Sequence, residues 1–258
     1  MAERRLYAHR GASRHLPENT LPAFERGLAD GANALELDVH RTLDGQVVVS
    51  HDPTGRRMTG IDRRLAHATL DEVRRWDAGF GFVDAGGARP FAGRGFAIPT
   101  FEEVLRAFPA VTLNVDLKDR DVRLVRSVVE LVARHGEASR VNLVSFHDAN
   151  LTALRRLGYQ GPTGLSPGGV RWLLFGPRWL TRLAPPRGDA LQVPPHLGRL
   201  RLDRPRLIAH AHALGLRVDY WVIDDPSEAQ RLFAAGADGI VTNDPAALAP
   251  VFRTLCAS

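Results

Sequence analysis

Ionisable side chains gather at the ends of the first two predicted strands and of the hairpin-like segment that follows them. The first strand ends at His9 and Arg10, the second carries Glu36 and Asp38, and the hairpin ends at His51. Residues two apart on a strand project from the same face, so the two acids share one face. A set of imidazoles, carboxylates and a guanidinium is suited to moving protons and to binding an anionic group.

A third predicted strand adds a second polar face. Asn114, Asp116 and Lys118 alternate there with apolar residues. Lys118 is the only lysine among the 34 basic residues of the chain. An ammonium is a compact donor and a guanidinium a wide fork, so a lone lysine in an arginine-rich chain is a candidate site residue. The alternative is that Lys118 is a surface residue kept by chance.

The two polar faces together predict a cluster of three carboxylates. If both faces point into one barrel, Glu36, Asp38 and Asp116 converge, and unpaired buried charge is costly. An oxygen-rich set of this kind suits Mg²⁺ or Ca²⁺ and differs from the Cys/His sets typical of zinc. The alternative is a salt-bridge layer in which Arg10 and Lys118 neutralise the acids.

His9 and His51 are predicted to flank this cluster and to share acid and base roles, because imidazole titrates near neutral pH. A lone histidine at a strand end is more often structural, but two beside a carboxylate cluster favour chemistry. The chain shows no reactive-cysteine context. Arg10 and Lys118 would neutralise an oxyanion, so the set as a whole indicates a site for a phosphate ester.

Short β-rich runs alternate with longer helical patterns along the chain. Several of the runs are continuously apolar, as expected of parallel strands buried on both faces. Eight such β/α units predict a TIM (β/α)₈ barrel. The alternative, an open doubly wound sheet, lacks a G-x-G-x-x-G after the first strand. The predicted strands are residues 5–9, 34–39, 111–117, 141–146, 161–165, 190–193, 217–222 and 239–242.

We predict a single domain for residues 1–258. Two stretches of this domain are additional to the strands and helices of a minimal barrel. The first is an insertion at about 53–98, with a predicted short helix at 69–73 and a glycine-rich loop. The second, VRWLLFGPRWLTRL at 170–183, could be a packed helix, a lip over the site or a membrane-surface patch. Plain packing is favoured because the run is short and Pro177 interrupts it.

Composition excludes several classes of function. A formal net charge of +5 with arginines scattered among acids does not indicate a nucleic-acid interface. No apolar run reaches the roughly 18 residues of a membrane helix, and the N-terminus lacks a signal-peptide core. We therefore expect a cytoplasmic protein with a small-molecule substrate, and any peripheral membrane contact is weakly supported. Cys256 is alone and is expected to be incidental. The oligomeric state is left open.

A set of motifs runs in a fixed order through nearly the whole chain. Residues 8–59 contain H-R-G, P-E-N-T, E-x-D and the H-D of the hairpin. IPTFEEVL, LNVDLK, YWVIDDP and GADGIVTNDP follow. Each motif alone is weak, but together they resemble the glycerophosphodiester phosphodiesterase family. The resemblance implies a TIM barrel and a phosphoric diester hydrolase that uses one divalent cation.

The resemblance also implies a role for each matching residue. In this family a hydroxyl of the glycerol is thought to attack the phosphorus and to give a cyclic phosphate that water then opens. The implied roles are His9 and His51 as general acid and base, Arg10 and Lys118 as phosphate contacts, Trp221 as an aromatic near the substrate, and Glu36, Asp38 and Asp116 as metal ligands.

Three positions depart from the family pattern. Asp116 stands where a glutamate is most common, Asn243 replaces a commoner aspartate, and His40 replaces a glutamine-like residue without expected consequence. His147 could face the site, although a structural role is preferred. In the P-E-N-T motif, Glu18 is expected to orient Arg10 or a metal-bound water, and Asn19 or Thr20 to cap the first helix.

Three functions remain open on the sequence. The leading one is metal-dependent hydrolysis of glycerophosphodiesters to an alcohol and glycerol 3-phosphate. The second is a lysophospholipase D-like cleavage of lysophospholipid head groups, supported only by residues 170–183. The third is a catalytically silent barrel that binds a phosphate ligand, which the presence of both histidines disfavours.

Overall fold

The computed structural model describes residues 3–256, and its centre is a curled, mainly parallel sheet. The side chain of Cys256 lies outside the described part of the chain, and so does the expectation attached to it. The strands are β1 (Arg5–His9), β2 (Ala34–Arg41), β3 (Val47–Val49), β4 (Thr112–Leu117), β5 (Val141–Val144), β6 (Ala190–Val193), β7 (His196–Leu197), β8 (Leu200–Arg201), β9 (Arg217–Tyr220) and β10 (Gly239–Thr242). The sheet order is β5-β4-β2-β1-β10-β9-β6, with β3 antiparallel to β2.

The predicted strand at 161–165 does not form, but its residues still close the barrel. Thr163 makes one parallel bridge to Leu143 of β5, and Gly164 makes one to Ala190 of β6. Pro162 has no N–H to donate, and a Cβ at Gly164 would lie 2.8 Å from the Val144 side chain. This wall of the barrel is therefore a pair of bridges rather than a regular strand, and the TIM-barrel prediction is confirmed.

Helices surround the sheet much as the sequence patterns predict. Two of the helices begin with a capping box, one between Thr100 and Glu103 and the other between Thr69 and Glu72. The helices are α1 (Leu21–Ala29), α2 (Arg56–Thr59), α3 (Leu70–Val73), α4 (Phe101–Ala107), α5 (Val122–His135), α6 (Asp148–Arg156), α7 (Pro167–Phe175), α8 (Arg178–Leu183), α9 (Pro205–His212), α10 (Pro226–Ala234) and α11 (Pro245–Cys256).

The two faces of the central strands have different surroundings. On β2, Leu35 and Leu37 belong to an apolar cluster with Phe24 of α1 and Val128 of α5. The alternate residues face the barrel interior, which holds buried polar side chains as well as a small apolar cluster of Tyr7, Ala34 and Val241. Asn114, for example, accepts from Asn142 at 2.6 Å and from Gln192 at 3.0 Å. Hydrogen bonds between interior side chains thus link the strands that carry the ionisable groups.

The insertion at 53–98 has its own small core beside the barrel. Trp76 packs there with Val48, Leu65 and Val73. The glycine-rich loop is tied down by Asp77, whose carboxylate accepts hydrogen bonds from the backbone of Gly79, Gly93 and Phe96. Arg57 of α2 contacts the carboxylates of Glu18 and Asp52.

The segment at 170–183 forms α7 and α8, separated at Gly176–Pro177. Leu173 and Thr181 are buried, but Phe175, Trp179 and Leu183 are 70%, 64% and 76% exposed. Plain packing therefore accounts for only one face of this segment. Within residues 3–256, no helix is both long enough and apolar enough to cross a membrane.

Candidate active site

His9 lies at the carboxyl end of β1 with a defined tautomer. Its Nδ1 is 2.6 Å from Asn243 Oδ1, and the amide nitrogen of Asn243 donates to Asp224 at 2.8 Å. Since Asn243 presents its oxygen, Nδ1 of His9 must carry the proton, and Nε2 keeps its lone pair. Burial and the nearby Arg10 lower the pKa of His9, so the ring is neutral near pH 7. Nε2 is thus a candidate proton acceptor.

His51 follows β3 and is paired with the carboxylate beside it. Its Nδ1 lies 2.7 Å from Asp52 Oδ1, so Nδ1 is a donor and Nε2 points away from the pair. Asp52 is held in turn by Arg57 of α2, whose Nε donates to Oδ2 at 2.6 Å. Burial opposes ionisation of Asp52, but Arg57 and His51 hold its pKa below the usual value. A fixed carboxylate behind the ring stabilises positive charge on His51 during proton transfer.

Arg10 is placed by an unusual backbone turn. Its φ is 56° and that of Gly11 is 85°, so the chain leaves β1 in the left-handed region. A Cβ at Gly11 would lie 2.4 Å from the backbone carbon of Ala23, so only glycine fits. The guanidinium contacts Asp38 at 3.1 Å and Glu18 at 3.1 Å. Glu18 therefore orients Arg10, as expected from the sequence.

Lys118 lies between two of the three predicted metal ligands. Its Nζ is 2.9 Å from Asp38 Oδ1 and 2.8 Å from Asp116 Oδ2, and the two acids face each other across the β2–β4 pair. Burial would raise the pKa of Asp38, yet Lys118 and Arg10 hold it below the ordinary value. Asp38 therefore takes part in the salt-bridge layer that the sequence left open as the alternative to a metal site.

The surroundings of Glu36 and Asp116 disfavour the charged form of both carboxyl groups, so a further positive charge would stabilise them. Burial and the adjacent Asp38 raise the pKa of Glu36 well above its usual value, and burial also raises that of Asp116. Asp116 Oδ1 is buried without a hydrogen-bond partner in the described chain. Among the side chains that the structure describes, residues 3–254, no three His, Cys, Asp or Glu are arranged to hold a metal ion. The donor chemistry fits an oxygen-preferring cation, which stays a prediction.

Trp221 lies beside the same end of the barrel, next to an exposed aromatic side chain. Its ring meets that of Phe146 edge to face, with centroids 5.9 Å apart. Lys118 Nζ lies 5.9 Å from the centre of the Phe146 ring. The two aromatics thus form an apolar rim next to the charged groups. Phe146 is 62% exposed, and only its place after a strand could have marked it in the sequence.

Three further residues support the site in ways that the sequence did not reveal. Asn19 does not cap α1; its amide donates to Asp38 Oδ2 at 3.0 Å, and Thr20 is the N-cap without a side-chain bond. His40 is buried between Asp119, at 2.6 Å, and the backbone oxygen of His51, at 3.1 Å. Arg57 joins Glu18 to Asp52. The contact of His40 with the backbone of His51 was not foreseen, and the expectation that the replacement at His40 has no consequence stays a prediction.

A cavity of about 320 Å³ opens beside His51 and Lys118. Arg120 and His147 line its outer part. Nε2 of His147 lies 3.2 Å from the backbone oxygen of Lys118, so the preferred structural role for His147 agrees with its contacts. The ionisable groups singled out in the sequence therefore do meet at one mouth of the barrel, next to a space large enough for a small ligand.

Comparison with known proteins identifies the family. Residues 9–247 match the sequence profile of the glycerophosphoryl diester phosphodiesterase family. The chain belongs to this family. A glycerophosphodiester phosphodiesterase of Caldanaerobacter subterraneus is 30% identical over 251 residues, which cover 95% of this chain and 96% of that protein. The resemblance seen in the sequence is confirmed, and with it the class of phosphoric diester hydrolases.

Two further relatives extend the comparison. Human lysophospholipase D GDPD1 is 31% identical over 270 residues, covering 93% of this chain and 83% of that protein. The crystal structure of a putative glycerophosphoryl diester phosphodiesterase from Silicibacter pomeroyi has a TM-score of 0.77 and 29% identity, covering 98% of this chain and 94% of the other. Members of the glycerophosphoryl diester phosphodiesterase family thus align with nearly the whole chain.

Proposed function

We propose that this chain hydrolyses glycerophosphodiesters to an alcohol and glycerol 3-phosphate, with His9 and His51 as the acid/base pair. The observation that carries the proposal is the way in which the two rings are held. Nδ1 of each ring contacts a fixed acceptor, the Asn243 amide oxygen for His9 and the Asp52 carboxylate for His51, which leaves Nε2 of each ring for proton transfer. Two imidazoles oriented in this way can serve as a base and an acid.

In the first step His9 Nε2 removes the proton of the glycerol hydroxyl next to the ester. That oxygen attacks phosphorus and forms a cyclic phosphate, while the bond from phosphorus to the alcohol oxygen breaks. His51 Nε2 gives its proton to the departing oxygen. In the second step the roles reverse: His51 takes a proton from water, water opens the ring, and His9 returns a proton to the glycerol oxygen. Atoms and protons balance over the two steps.

Positive charge is needed around the phosphoryl oxygens throughout. Arg10 and Lys118 supply part of it, but both also neutralise buried acids. We propose that Glu36, Asp38 and Asp116 hold one Mg²⁺ or Ca²⁺, which would stabilise the charge that develops on the phosphoryl group. The raised pKa of Glu36 and the unpaired oxygen of Asp116 support this assignment.

The test is turnover of glycerophosphocholine. Glycerol 3-phosphate is the expected product, EDTA is expected to lower the rate at least about tenfold, and Mg²⁺ or Ca²⁺ should restore it. A cation that binds only the folded chain should also raise the melting temperature. Full activity in EDTA would overturn the metal assignment, and the absence of any glycerol 3-phosphate would overturn the function.

A second candidate is cleavage of lysophospholipid head groups, favoured by the exposed Phe175, Trp179 and Leu183. Residues 170–183 also contain three arginines and no acid, which suits an anionic lipid surface. The double variant Trp179→Ser, Leu183→Ser should then turn over vesicle-bound lysophosphatidylcholine several-fold more slowly than the parent. Glycerophosphocholine in solution is the control and should be unaffected. Equal loss on both substrates, or no lysolipid turnover by the parent chain, would rule this candidate out.

A catalytically silent barrel remains the third alternative from the sequence. It predicts ligand binding without turnover and requires no free Nε2 on either histidine. The hydrogen bonds that fix both tautomers argue against it, since a binding module has no use for two imidazoles oriented for proton transfer.

A further inference from the structure

One guanidinium at the mouth is held in place without an acidic partner. Arg120 Nε donates to Nδ1 of His147 at 3.2 Å, and no ion pair involves Arg120 within residues 3–256. Because Nδ1 accepts, the proton of His147 is on Nε2, which donates to the backbone oxygen of Lys118. The terminal nitrogens of Arg120 are therefore free for a ligand.

The support behind Arg120 is unusually firm for an exposed arginine. Ser145 Oγ donates to the Leu117 backbone at 2.7 Å and accepts from the His147 backbone at 3.2 Å. The buried amide of Asn150 donates to the backbone oxygens of Leu117 and Asp119. These bonds tie the loop after β4 to the loop after β5. Less side-chain freedom is then lost when Arg120 binds an anion.

The acid nearest this guanidinium is already engaged. Asp119 lines the same cavity, but its Oδ1 lies 2.6 Å from His40 and its Oδ2 accepts from the backbone of Arg41 at 3.1 Å. Lys118, on the inner side, is shared between two buried carboxylates. The cavity thus has one uncommitted positive group, and it lies at the outer end.

The cavity lies on the side of His51, which the proposed function makes the proton donor to the leaving alcohol. We infer that Arg120, oriented by His147, is a subsite for an anionic group on that alcohol. The preferred substrates are then glycerophosphodiesters whose alcohol carries a second phosphate or a carboxylate. This inference rests on the proposed function, because only the acid role of His51 assigns the cavity to the alcohol. A guanidinium fork suits either anion.

A matched pair of substrates tests the subsite. Glycerophosphoglycerol and its derivative with a phosphate on the terminal hydroxyl differ only in that anion. The parent chain should have a higher kcat/KM on the phosphorylated diester. Arg120→Gln should lower that value about tenfold or more, as expected for the loss of a charge-assisted bidentate contact, and should change the value for glycerophosphoglycerol less than twofold.

Controls separate a specific site from a general charge effect. Arg126, an exposed arginine of α5, is the matched control, and Arg126→Gln should leave both substrates unchanged. His147→Ala should reproduce part of the Arg120→Gln effect on the phosphorylated substrate alone. A glycerophosphoserine arm tests whether a carboxylate is also accepted. The subsite is overturned if the parent has equal kcat/KM on the two substrates, or if Arg120→Gln loses equally on both. If the parent turns over neither substrate, the proposed function itself is overturned.

Discussion

Replacing His9 by asparagine is expected to lower kcat on glycerophosphocholine by about 10²–10⁴-fold, the usual contribution of a general base. An asparagine amide can still donate to Asn243, as Nδ1 of His9 does, but it lacks the lone pair of Nε2. The loss would therefore be chemical and not structural. Steady-state kinetics with a melting curve on the same sample measure both quantities.

His51→Asn should show a loss of similar size, because its amide can likewise keep the bond to Asp52. The two variants become distinguishable with a glycerophosphodiester of 4-nitrophenol, whose anion departs without a proton. The defect of His51→Asn should shrink on that substrate, and the defect of His9→Asn should persist. Near-parental activity of either variant on glycerophosphocholine would contradict the acid/base assignment, and the reverse pattern would exchange the two roles.

Lys118→Met is expected to have the largest effect on stability. It leaves Asp38 and Asp116 buried without their shared ammonium, and breaking a buried pair in this way costs about 3–5 kcal/mol of unfolding free energy. Urea unfolding at pH 7 in EDTA measures it. A Lys118→Met variant as stable as the parent would show that the two acids do not depend on Lys118.

The pH dependence of this effect has a defined sign. The pKa of folded Asp38 is depressed by Lys118 and Arg10, so the stability it contributes is present above the ordinary aspartate pKa and is lost as pH falls. The difference between parent and Lys118→Met should therefore narrow on acidification. Lys118→Arg keeps the charge and should recover part of the stability. The guanidinium of Lys118→Arg is a wide fork and fits the space between the two carboxylates less well than the ammonium does. The variant should therefore remain less active than the parent.

Much of the fold could be predicted because buried parallel strands and amphipathic helices leave clear patterns. The exception is residues 161–165, Gly-Pro-Thr-Gly-Leu, where the alternation of short and long runs predicted a strand. Pro162 has no N–H to donate and Gly164 packs closely on Val144, and the segment forms only two bridges. The alternation shows where a strand is expected, but backbone hydrogen bonding depends on groups that such a pattern does not count.

The site could be predicted as far as strand alternation reaches. Glu36 and Asp38 share one face because residues two apart on a strand do so, and the same alternation gave Asn114, Asp116 and Lys118 a common face. The structure brings the two faces together by pairing Asp38 with Asp116. The contact of Asn19 with Asp38 could not be predicted, since a P-E-N-T motif before a helix equally suits a cap. Arg57 is one of many arginines, and nothing in its neighbours marks it as the partner of Asp52. Such contacts depend on how loops fold back over the barrel mouth.

The ion pairs around the mouth form one continuous path. It runs from Lys118 through Asp38 and Arg10 to Glu18, and on through Arg57 and Asp52 to His51. Groups joined in this way do not contribute independently, so substitutions at its two ends should show a coupling energy in a double-mutant cycle. The insertion that carries Arg57 thereby belongs to the same energetic unit as Arg10 and Lys118, although some forty residues of chain separate it from β1. A substitution in the insertion is therefore expected to affect Arg10 and Lys118, and a substitution at either of these residues to affect the insertion.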